Sequence, residues 1–98
     1  MRNYKCKHIK TLSESGFFGV NDPSQIQIQI PNYSNNDRLF LLFGNPYKVK
    51  TDDDHHWQNF WQLEFFNGEL VNIISSCQSV YIFGDNPNHV SDILLEIY

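Results

Sequence analysis

The run Asn59-Phe60-Trp61-Gln62-Leu63-Glu64-Phe65-Phe66-Asn67-Gly68-Glu69-Leu70-Val71-Asn72-Ile73-Ile74-Ser75 decides the fold. Trp57, Trp61, Leu63 and Phe65 fit the period of two of a strand, and Asn67-Gly68 between two apolar runs is the strongest short-range hairpin signal. A helix competes for the same residues. Trp57, Phe60, Trp61 and Glu64 also fall at helical spacing, behind a Thr51-x-x-Asp54 cap and an acidic first turn. The Asn-Gly pair decides for a hairpin of residues 59–66 and 69–75, with a helical turn at 52–58 before it. A two-residue turn pairs Phe66 with Glu69. Trp61 then stands opposite Ile74 and Phe65 opposite Leu70 on one face, with Glu64 opposite Val71 and Gln62 opposite Ile73 on the other. The first of these is the expected core face.

After the hairpin, residues 79–83 read as a strand covered on both faces and ended by Gly84. Asn86-Pro87 is an N-cap followed by proline at the first helical position, and Val90, Ile93, Leu94 and Ile97 trace the apolar stripe of a closing amphipathic helix. Before the hairpin, Tyr47 to Lys50 reads as a short strand. Residues 39–43 are continuously apolar and read as a buried strand broken by Gly44-Asn45-Pro46. The hexapeptide Gln25-Ile26-Gln27-Ile28-Gln29-Ile30 alternates strictly and is the cleanest strand in the chain, stopped by Pro31. Residues 4–11 alternate with Tyr4, Cys6 and His8 on one side and outward lysines on the other, a pattern that suits a sheet edge. Residues 13–24 read as a loop whose Phe17 and Phe18 tuck back into the core.

The chain holds no alanine, eleven asparagines and six glutamines. Alanine is the best helix former, whereas Ile, Phe, Tyr and Trp favour strands, so composition agrees with the pattern. The expected class is α+β, mainly β: a single domain over residues 1–98, with an antiparallel sheet of five to seven strands and a C-terminal amphipathic helix. Its 98 residues are too few for two cores. No apolar run approaches the ~20 residues of a membrane-spanning helix, and the lysine-rich start lacks a signal peptide's apolar segment, so a cytoplasmic location is expected. Cys6 and Cys77 lack metal-ligand spacing and read as reduced, buried thiols.

Net charge is −4, but its halves differ sharply. Residues 1–50 hold all seven Lys and Arg against three acidic residues, a net of +4, while residues 51–98 carry eight acidic residues and no Lys or Arg, a net of −8. An acidic half without counter-charges is most easily tolerated where something basic binds it. Direct nucleic-acid binding lacks its positive footprint, since the only basic cluster is Arg2, Lys5, Lys7 and Lys10. The group Asp52-Asp53-Asp54-His55-His56 is the one dense set of metal-ligand or acid–base types, but five consecutive side chains do not converge on a single point. No nucleophile motif accompanies any histidine, so neither an enzyme nor a resident metal or cofactor is expected. A small metal protein or enzyme using His55 and His56 is the alternative.

A small acidic chain rich in Trp, Phe, Tyr, Asn and Gln, with Asp52 to Asp54 beside Trp57 and Trp61, resembles the immunity proteins of bacterial toxin systems, including contact-dependent growth inhibition. The resemblance is of overall character, not of motif. It implies a non-enzymatic inhibitor, acting as a monomer or weak dimer, that covers a cognate basic toxin domain such as a nuclease. Phage anti-defence proteins, the anti-CRISPR inhibitors among them, share that character and are the other reading. Asp52, Asp53, Asp54, Glu64 and Glu69 are the expected charged contacts, with Trp57 or Phe60 as a partly exposed aromatic anchor.

Overall fold

The computed structural model describes residues 2–13, 22–33, 35–50, 57–76 and 79–98. The expected helical turn at 52–58 lies outside them except at its last two residues, which are strand; Phe17 and Phe18 lie outside them as well. Six strands form one antiparallel sheet: β1 (Tyr4–Lys7), β2 (Ile26–Pro31), β3 (Tyr47–Lys50), β4 (Trp57–Phe65), β5 (Leu70–Ser75) and β6 (Ser79–Gly84). Two helices accompany them, α1 (Asn36–Phe43) and α2 (Pro87–Ile97). The class is the expected one.

Strand order is β1-β4-β5-β6-β2. The nine-residue β4 carries two partners along one edge, β3 against residues 57–60 and β1 against residues 62–65, with β5 along the other. One face presents Trp61, Leu63 and Phe65 beside Val71, Ile73, Val80, Ile82 and Ile30, and all are buried. Leu39 and Phe43 of α1 and Val90, Ile93 and Ile97 of α2 close over that face. Trp61 ties the layers together. Its indole N–H donates to the Gly44 carbonyl at 3.0 Å, and its ring meets Phe40 edge-on at 5.8 Å. The opposite face is also buried at its centre, where Gln62 donates to Asn72 at 2.9 Å and both are 1% exposed, beside Phe83 and Phe60.

The hairpin forms, but its register differs from expectation by one residue. Phe65 N–H donates to the Glu69 carbonyl and Gly68 N–H to the Phe65 carbonyl, leaving a three-residue connection, Phe66-Asn67-Gly68. Gly68 has φ 86° while Asn67 does not enter the left-handed region, so this is a type I turn closed by a left-handed glycine instead of the two-residue type I′ turn, which needs positive φ at both Asn and Gly. The extra residue moves β5 by one position. Trp61 pairs with Ile73 and Leu63 with Val71, so Val71 and Ile73, not Leu70 and Ile74, join the helix-covered face.

Residues 39–43, expected as a strand, lie in α1. The Asn35 side chain accepts from Arg38 N–H at 3.3 Å, Asp37 sits in the first turn, and Gly44 N–H returns to the Phe40 carbonyl. These are start and stop signals of a helix, hidden in what reads as a polar turn followed by a break. Leu39 and Phe43, four apart, are the buried pair, and Leu41 is exposed. The closing helix is as expected, with the Asn86 side chain accepting from Asn88 N–H and Pro87 in the first turn. Its last carbonyls have no cation on α2 itself. Arg38 of α1 supplies it, donating from Nε to the Ile97 carbonyl at 2.6 Å and from Nη2 to the Glu96 carbonyl at 2.7 Å.

In the first strand Tyr4 is buried as expected, but Cys6 is exposed, correcting the reading of a buried thiol; Cys77 lies outside the described residues. Cys6 faces the helix side, but its strand is a four-residue edge with one neighbour, and an edge residue is covered from one flank only. No helix among the described residues is long and apolar enough to cross a membrane.

Gly84 sits where α2 crosses the sheet. A Cβ there would lie 2.9 Å from the Leu70 carbonyl oxygen and 3.4 Å from methyl groups of Val71 and Val90. Gly84→Ala is expected to destabilise the chain by about 1–3 kcal/mol, the usual range for overpacking. Thermal unfolding followed by circular dichroism checks this.

Candidate functional site

The four-residue β1 and the tip of the β4–β5 hairpin come together at one end of the sheet. Phe66 N–H donates to the Asn3 carbonyl at 3.2 Å, pinning the turn to the residue before β1. The type I turn places Phe66 at its first corner, off both faces of the sheet, so the ring is 78% exposed. Phe65, one residue earlier, is buried. The phenyl ring of Phe66 stands as a ridge between two shallow clefts. One, of about 340 Å³, is lined by Lys5, Glu64, Phe65, Phe66 and Gly68, and the other, of about 280 Å³, by Asn3, Phe65, Phe66, Asn67 and His89.

Carboxylates flank the ridge. Glu64 lies beside it on β4, 3.5 Å from Lys5 Nζ and partly exposed. Glu69 closes the turn and accepts from the Asn86 side chain at 3.0 Å and from Asn67, while His89 Nε2 lies 3.3 Å away. The amide of Asn86, then that of Asn67 and the neighbouring His89, stabilise its charged form and hold the Glu69 carboxyl below the usual range. His89 in turn lies flat on Phe65, ring centroids 3.8 Å apart. A third cleft of about 320 Å³ continues along α2, lined by Arg2, Asn3, Tyr4, Phe65, Asp92 and Glu96. There Tyr4 donates to Glu96 at 2.5 Å, and burial, followed by that carboxylate, pushes the phenol up. Arg2 lies 3.5 Å from Glu96 and over the Tyr4 ring.

Of the residues expected from sequence, the described ones are spread over both ends of β4. Glu64 and Glu69 belong to the hairpin end. Trp57 begins β4, seven residues from Glu64 and so about 23 Å away at strand rise, 52% exposed with Lys50 over its ring. Phe60 is 6% exposed and pairs with Tyr47 and Ile74, so of the two anchors named, only Trp57 presents a ring. Asp52, Asp53, Asp54, His55 and His56 lie outside the described residues. Phe66 was missed because the two-residue turn put it on a strand. The signal was an aromatic between two glutamates beside Asn-Gly. The acidic second half is also partly neutralised from within, because Lys5 and Arg2 of the basic half reach Glu64 and Glu96.

The depressed Glu69 carboxyl links the turn to pH. A group whose folded pKa lies below its unfolded value adds stability above the unfolded pKa and loses it as pH falls through the folded one. Glu69→Gln is therefore expected to flatten the acid limb of the stability curve below about pH 4.5, where free glutamate titrates. Urea unfolding from pH 3 to 7 reads this out; a limb as steep as the parent's would count against it. No family model matches this chain, and no curated protein or solved structure matches it.

Proposed function

We propose that this protein is a non-enzymatic inhibitor of the immunity type, which binds a basic partner domain through the hairpin end of its sheet. The observation that carries the reading is Phe66, 78% exposed between Glu64 and Glu69 on a turn held by backbone hydrogen bonds to Asn3 and Glu69. Interface energy concentrates in a few rigid aromatic anchors that enter a partner's pocket, surrounded by contacts that exclude water. A phenyl ring fixed on a pinned turn loses little freedom on binding. The neighbouring carboxylates Glu64 and Glu69, with Asp92 in the cleft along α2, suit a rim that meets lysine and arginine, steering association more than adding affinity. Trp57 extends the aromatic character to the other end of β4, and it and Asp52 to Asp54, which precede it in sequence, serve as secondary contacts. A toxin nuclease domain fits this chemistry, because its phosphate-binding surface is basic.

The test is a titration against the product of the adjacent reading frame at about 50 and 200 mM salt, a range over which exposed charges are appreciably screened. Nanomolar binding that weakens with salt and abolishes the neighbour's toxic activity is the expected result. Phe66→Ala is expected to weaken binding by roughly 30-fold or more, the hot-spot threshold, with the melting temperature unchanged because the ring covers little of the core. Glu69→Lys should act mainly on the association rate at low salt. Equal affinity for the Phe66→Ala variant would overturn the assignment of the hairpin.

A further inference from the structure

The two edges of the sheet are built differently. β1 is four residues long and carries Lys5 and Lys7, devices that keep another strand from pairing there. At the opposite edge β2 pairs, among the described residues, with β6 alone, in an unbroken register from Ile26 opposite Gly84 to Pro31 opposite Ser79. It has no bulge, and no charged residue occurs between Asp22 and Asp37. Its one proline is the last residue of the strand, after which Asn32, at φ 58°, turns the chain away. Ile26 is 45% exposed, Ile28 is half-buried, and Gln27 and Gln29 are exposed. A regular, uncharged, alternating edge of this kind is a template for another strand.

We propose that β2 is a homodimerisation edge, at which a second copy of this chain adds its own β2 antiparallel to form a continuous twelve-stranded sheet. The sequence of the strand selects a copy of itself. With Ile28 on a two-fold axis, Ile26 of one copy stands opposite Ile30 of the other and Gln27 opposite Gln29, so every pair from 26 to 30 joins like with like on one face. The exposed flank of Ile26 is then covered by the other copy's Ile30, and the helix-covered faces of the two sheets become one. A register displaced by one residue would set isoleucine against glutamine, mixing the apolar face of one copy with the polar face of the other. Nothing charged on the strand repels a copy or favours an unlike partner. The lysine-bearing β1 edge prevents further addition, so assembly stops at two. This inference is independent of the hairpin end, which lies across the sheet from β2.

The test is multi-angle light scattering and sedimentation equilibrium of the full chain from about 1 to 500 µM, since an edge pairing of modest area is expected to dissociate in the micromolar range. A concentration-dependent rise from 11.6 kDa to twice that mass is expected. The double variant Gln27→Lys/Gln29→Lys should remain folded, because both side chains are exposed, but stay at the monomer mass because each lysine meets a lysine. Its dimer constant should weaken at least tenfold. Mixing it with Gln27→Glu/Gln29→Glu should restore the doubled mass in a heterodimer. A parent that is monomeric throughout would overturn the proposal, leaving the edge to a strand from another protein. A dimer untouched by the lysine variant would overturn it equally by placing the interface elsewhere.

Discussion

The left-handed conformation of Gly68 is the constraint on which the arrangement of this protein depends. Its φ of 86° lets a three-residue connection close between Phe65 and Glu69, and that length fixes which residues of β5 face the helices. A strand has a side-chain period of two, so one residue more or less in the turn would exchange Val71 and Ile73 for Leu70 and Ile74 over the whole strand. β6 is registered on β5 and β2 on β6, so the choice propagates to the far edge. It also brings Gly84 opposite Val71, where a Cβ on the glycine would lie 3.4 Å from Val90 of α2. The same turn ejects Phe66 from both faces. The register of the core and the exposure of Phe66 are consequences of one backbone conformation.

Charge is organised by topology in a way that linear halves conceal. The basic N-terminal strand pairs with the second half of β4, so Lys5 meets Glu64, and Arg2 reaches Glu96 on the last helix. Arg38 spends its guanidinium on two carbonyls at the end of α2, where the dipole of that helix is negative and α2 carries no cation. Among the described residues of the second half, Asp85 and Asp92 have no Lys or Arg in ion-pair reach, and Glu69 is met by His89 and two amides instead of a Lys or Arg. Exposed ion pairs of this kind contribute little stability, so their main effect is to shape the field that a partner meets.

The sheet edges carry a second division of labour. Lysines on β1 and the shared occupation of the β4 edge by β1 and β3 leave little room for strand addition on that side. On the other side β2 offers alternating isoleucine and glutamine without a charge. A pinned aromatic turn at one end and a neutral strand with one partner among the described residues along one edge are different kinds of surface.

The sequence by itself determined the alternating strands, the strand at residues 79–83, the hairpin and the closing helix, because period two, the Asn-Gly pair and the Asn86-Pro87 cap act over a few residues. It determined the class for the same reason. It did not separate helix from strand at residues 39–43, because a short all-apolar run satisfies both periods, and packing of Phe43 against Trp61 with Leu39 in the same core decides between them. It did not give Asn67-Gly68 a turn type, since two- and three-residue loops share those residues and differ only in which pairing buries the better face. Glu64 and Glu69 were named from sequence among a longer set of carboxylates, whereas the exposure of Phe66 was not read. An aromatic side chain is placed on the surface only by a backbone that leaves it no face to join, and that is a property of the tertiary structure alone.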